Sequence, residues 1–160
     1  MNRLFEFIRV DTFLDDMNRE ECFDTRDMDG ISLNYRVILV SDCPDNINDC
    51  IDEDGTLISP YNSETKKGVN MIETDGDDDG KLALLYSKGI NGERTISVGS
   101  SLLNYDFGTK NVNVKGAFLV NIANGSGYVL AYSINNKQVV FNGTFVSPVT
   151  GMIWSMRYDE

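Results

Sequence analysis

The 160 residues carry 25 Asp and Glu against 14 Lys and Arg, no histidine, and 41% hydrophobic residues. That is too apolar for a disordered chain, and a net charge of −11 opposes binding to nucleic-acid phosphates or an anionic membrane surface. The missing histidine removes Ser-His-Asp and Cys-His nucleophile pairs, histidine-ligated zinc and the usual neutral-pH proton shuttle.

A chain of this length is expected to form one domain with its own core. The charge is uneven: residues 1–80 hold 21 acidic and 7 basic side chains, residues 81–160 hold 4 and 7. Residues 1–10 lack a signal-peptide pattern, and no apolar run approaches the roughly 20 residues of a membrane span. Cys22, Cys43 and Cys50 have no CxxC spacing, so free thiols in a reducing cytoplasm are expected, although the spacing also permits a Cys43–Cys50 bridge.

In chain order, residues 1–24 read as an amphipathic N-terminal arm or short helix. Leu4, Phe5, Ile8, Phe13 and Leu14 sit roughly at helical spacing, while Phe5, Phe7 and their neighbours also alternate as a strand would. These apolar positions are candidate partner-binding residues, docking on the chain's own domain or on a neighbouring subunit. Residues 25–160 form a single β domain. Ile31, Leu33, Tyr35, Val37 and Leu39 alternate with Ser32, Asn34 and Arg36, the clearest strand of the first half. Acidic, turn-rich loops follow at 41–67 and 73–80, with a short edge strand at 68–72.

Six further strands are expected at 82–86, 95–98, 112–122, 128–134, 138–145 and 152–158. Asn91-Gly92, Asn124-Gly125 and Asn142-Gly143 lie at or between their ends, and Asn135-Asn136 between two more. Asn-Gly tolerates the positive φ values that a type I′ hairpin requires. The fold class is therefore mainly β: an antiparallel sandwich or barrel with meander connectivity, its sheet built by residues 82–158.

The sharpest site motif is Asp75-Gly76-Asp77-Asp78-Asp79-Gly80, which matches the first half of an EF-hand-type loop. Asp75, Asp77 and Asp79 are candidate Ca²⁺ ligands, and Ca²⁺ is the only cofactor suggested. The closing position holds Tyr86 rather than a carboxylate, and a solvated acidic loop, the favoured reading, accounts for the motif without a metal. Asp52-Glu53-Asp54-Gly55 and Asp27-Met28-Asp29-Gly30 read as plain acidic turns. No catalytic residue is assigned: pairs such as Asp42 and Asp45, or Asp75 and Asp79, stand in open loops where nothing raises a general acid. Tyr128, Tyr132, Trp154 and Tyr158 form either a sugar-binding platform or, more simply, core and interface.

Three segments carry a resemblance: Val114-Lys115-Gly116-Ala117-Phe118-Leu119-Val120, Gly127-Tyr128-Val129-Leu130-Ala131-Tyr132-Ser133 and Gly151-Met152-Ile153-Trp154-Ser155-Met156-Arg157. In their cadence of strand, Asn-Gly turn, strand and terminal Trp strand, residues 112–158 resemble small β-rich structural proteins of tailed bacteriophages, those of the crAss-like group in particular. The resemblance implies a non-enzymatic virion protein, made in the host cytoplasm, that binds capsid or neck and tail subunits in many symmetric copies. A head auxiliary or decoration role is favoured over one at the neck, tail or fibre. The alternative is a β-sandwich module for carbohydrate or Ca²⁺.

Overall fold

The computed structural model describes residues 7–9, 30–74, 80–88, 93–98, 102–121, 128–148 and 154–157. It is mainly β and antiparallel, as expected. The strands are β1 (Ile8–Arg9), β2 (Gly30–Asp42), β3 (Asn70–Met71), β4 (Lys81–Lys88), β5 (Glu93–Val98), β6 (Leu102–Asn121), β7 (Tyr128–Pro148) and β8 (Trp154–Arg157). They form one sheet in the order β1-β7-β6-β2-β4-β5-β8, with β3 continuing the β4 side of β2. Among the described residues the end strands β1 and β8 do not pair, so the sheet is open and the barrel alternative falls.

The meander is also corrected. β4–β5 and β6–β7 are hairpins, but β2 lies between them and β8 pairs with β5 instead of β7. The physical reason lies in the two faces of β2. Val37 and Leu39 pair with Leu119 and Ala117 on one face, while Ile38 and Val40 pair with Phe118 and Gly116 on the other. Because cross-strand partners share a face, a strand apolar on both sides is most stable in the middle of a sheet. The acidic half of the chain thus supplies the central strand.

It also supplies a cover. Residues 43–69 cross the face that carries Phe118 and Val40, burying Cys43, Cys50 and Val69 there with Val120 and Val129. Ile47, Ile51 and Leu57 pack against the same cluster. The carboxylates of Asp42, Asp45, Asp52, Glu53 and Asp54 remain exposed. The segment expected as a solvated loop is therefore charged outside and apolar inside.

Two Asn pairs expected as turns lie inside β7. Opposite Asn142-Gly143, residues 107–110 of β6 loop out between the pairs Asp106–Thr144 and Asn111–Asn142, with Gly108 at φ +65. At residues 135–138 it is β7 that loops out, opposite Lys115. Bulges of this kind bend a strand without ending it.

The early part of β6 returns to β2 through Tyr105. Val37 gives its N–H to the Gly80 carbonyl (2.7 Å) and accepts the Tyr105 hydroxyl at its own carbonyl (2.8 Å). Tyr105 is buried and its ring stacks on Phe107, centroids 6.1 Å apart. Removing the hydroxyl with Tyr105→Phe is expected to cost about 1–1.5 kcal/mol, seen as a lower urea midpoint at unchanged slope. A midpoint equal to wild type would show that the hydroxyl adds nothing.

Candidate functional site

The densest chemistry among the described residues lies where the cover meets β6. Its groups are the thiols of Cys43 and Cys50, the ammonium of Lys115 and the carboxylate of Asp45. Cys43 follows the end of β2, and its N–H is held by the Asp42 carboxylate at 3.0 Å. The chain then turns back through a short 3-10 helix, Ile47–Asp49, capped by Asn46, whose side chain accepts the Asn48 N–H at 3.0 Å. Cys50 closes this turn with its N–H on the Ile47 carbonyl (2.9 Å). The short turn brings two cysteines together, and both are free and buried.

Lys115 rises from β6 opposite the β7 bulge. Its stem is largely covered, 16% of the side chain being exposed, while its tip reaches the edge of the cover. There Nζ donates to the Cys43 carbonyl at 2.6 Å and to Asp45 Oδ1 at 3.0 Å. Asp45 is 87% exposed, so its ion pair with Lys115 adds little stability by itself. The bond to the Cys43 carbonyl is better shielded and pins the start of the loop to the sheet.

The electrostatics follow from this packing. A hydrogen bond from Cys50 favours the Cys43 thiolate; burial opposes it, and the Lys115 ammonium favours it again, leaving the Cys43 thiol below its ordinary value. Cys50 goes the other way, pushed up by the hydrogen bond it gives Cys43 and by burial. Its S–H also lies 3.6 Å from the carbonyls of Pro44 and Asn46. Burial alone would lower Lys115, but the bond to Asp45 and the charges of Cys43, Asp45 and Asp42 raise it above its usual value. The site thus pairs one thiol suited to ionise with one that keeps its proton.

Asp75, Asp77 and Asp79 lie outside the described residues, as do Leu4, Phe5, Phe13 and Leu14. Gly80, the sixth residue of the acidic motif, is described: it sits at φ +75 beside Val37. Ile8 is 57% exposed on β1, next to buried Phe7, and the two residues of β1 pair with Tyr132 and Ala131. The described part of the arm is therefore extended and packed on its own domain.

Asp52 serves its own turn, its carboxylate accepting the N–H groups of Asp54 and Thr56 at 2.9 Å each. Tyr132 packs against the core cluster, and Tyr128 bridges to Thr56 of the cover. Trp154 is on β8, at the far end of the strand order from β7. Tyr128, Tyr132 and Trp154 therefore belong to different parts of the sheet, and Tyr158 lies outside the described residues. Among the described residues, no group of three or more Cys, Asp or Glu is placed to hold a metal ion.

Lys115 did not stand out in the sequence as a site residue. The available signal was a single cation between Val114 and Gly116 in a run of apolar residues, a position that calls for a partner. Among the described residues no helix is long and apolar enough to cross a membrane. Comparison with protein families, with curated proteins and with solved structures finds no match.

Proposed function

We propose that this chain is a non-enzymatic structural accessory protein of a bacteriophage particle, binding other virion proteins in repeated, symmetric copies. A head auxiliary or decoration role is favoured over one at the neck or tail. The observation that carries this reading is the N-terminal arm. Phe7 is buried while the adjacent Ile8, on a two-residue strand at the sheet's end, presents an apolar side chain outward. An arm with one face anchored and the other free is suited to bridging copies. The strand cadence of residues 112–158 supplies the phage setting. A contact of this kind works through buried area, about 1,600 Å² for a standard interface, and not through a reacting group.

Co-sedimentation with purified phage capsids tests the reading. The full chain is expected to pellet with capsids at saturable, multiple copies. Ile8→Asp, which removes an exposed apolar contact without touching the core, is expected to weaken binding tenfold or more, about the worth of one buried aliphatic side chain. A soluble monomer inert towards capsids would overturn the proposal. If that inert protein instead gave saturable heat with Ca²⁺, or bound a glycan array, the function would pass to a carbohydrate- or Ca²⁺-binding module.

A further inference from the structure

We propose that Cys43 and Cys50 are a reactive dithiol that hydrogen peroxide converts to an intramolecular disulfide. Three observations place the pair in position to react. First, both thiols are buried in one core cluster, and Cys50 Sγ lies 3.6 Å from the carbonyl of Pro44, the residue that follows Cys43. Second, the intervening turn is fixed by its own bonds: Asn46 caps it, and the N–H groups of Asp49 and Cys50 bond back to the carbonyls of Asn46 and Ile47 at 3.0 and 2.9 Å. Third, the Cys43 sulfur is seated against the sheet, over Gly116 of β6. A side chain there would begin 3.5 Å from that sulfur and 3.1 Å from the Ser133 carbonyl. Cysteines chosen only to fill space need no cation at their turn.

The Lys115 ammonium, held at 2.6 Å from the Cys43 carbonyl, supplies that cation and favours the thiolate, the nucleophilic form. The Cys43 thiolate attacks one peroxide oxygen; the O–O bond breaks, hydroxide leaves, and Cys43 becomes a sulfenic acid. Cys50 then attacks the Cys43 sulfur, the S–S bond forms, the S–O bond breaks, and the thiol proton leaves with the departing oxygen as water. Two thiols and one peroxide give one disulfide and two waters. Cys50, whose proton is held more tightly, is the resolving partner. Peroxide reaches the pair from the outer side of the cover, where Asp45 and Asn46 are exposed, by brief opening of the turn.

The test uses the full chain carrying Cys22→Ser, so that only this pair can react. After millimolar peroxide at neutral pH, the protein is denatured and its thiols alkylated. Intact mass is expected to show a monomer lacking two hydrogen atoms, with neither cysteine labelled. The melting temperature should rise by about 4–8 °C, the effect of a short disulfide loop in a domain of this size, and fall again with dithiothreitol. The folded chain should oxidise at least tenfold faster than the same chain in guanidinium chloride. Lys115→Met should slow the folded reaction several-fold, and Lys115→Arg should restore it. Persistent labelling of both cysteines, oxidation to sulfinic acid, disulfide-linked dimers, or a folded chain no faster than the unfolded one would each overturn the proposal.

Discussion

Gly80→Ala is expected to lower the unfolding free energy by about 3 kcal/mol, measured by urea denaturation. Two costs combine. At φ +75 an alanine pays the left-handed backbone penalty, about 1–2 kcal/mol. Its Cβ would also run into the Val37 carbonyl oxygen and lie 3.0–3.1 Å from the ring and hydroxyl of Tyr105. Backbone oxygen cannot swing aside as a side chain does, so β2 must shift or Tyr105 must give up its hydrogen bond, at about another 1–1.5 kcal/mol. Gly55→Ala separates the two costs. Gly55 has a similar φ of +84, but the nearest atom to its Cβ would be a Tyr128 ring carbon at 4.0 Å. That variant should lose only the conformational share. Equal losses at the two sites would show that the close approach to Val37 has no energetic weight.

Phe118→Ala should cost about 3–5 kcal/mol, the range for emptying a packed aromatic site. Phe118 is fully buried on β6, paired with Ile38 on one side and Tyr132 on the other. It forms part of the floor beneath the cover, in the cluster that holds Cys43 and Cys50. The loss should therefore be local as well as global: the cover loosens first, and both thiols become open to alkylation in the native state. Phe118→Leu, which keeps much of the volume, should lose less than about 1.5 kcal/mol. Val140→Ala, at a side chain 63% exposed, should change stability by less than about 0.5 kcal/mol. Thiols still protected in Phe118→Ala would mean that the cover is held by its own turns and not by the floor.

The strands were legible wherever burial follows a simple period. β2 shows it, and the Asn-Gly pairs at 91–92 and 124–125 do separate paired strands. At Asn142-Gly143 and Asn135-Asn136 the same chemistry marks bends within a strand. Turns and bulges both relieve the backbone with small polar residues, so composition alone does not tell them apart. Strand order was illegible for a related reason: pairing between β2 and β6 links residues far apart in sequence, and no local pattern encodes it. The cover was hidden by its charge. Cys43, Ile47, Cys50, Ile51, Leu57 and Val69 share no period, because an irregular loop turns each inward by its own route. Lys115 and Cys43 became a site only once β6 and the end of β2 lay side by side.

The central position of β2 sets an order on folding. β2 leaves the ribosome early, yet its partner residues on β6 run from Gly116 to Asn121, so it must wait for most of the chain. β1 waits longer still, since Ile8 pairs with Tyr132. The β4–β5 hairpin can close early and pair with β2 through β4, but the side of the sheet that holds β6, β7 and β1 must follow later. Non-local pairing of this kind places folding in the millisecond-to-second range. During synthesis β2 can pair on one side with β3 and β4, while the edge that takes β6 stays open over that interval.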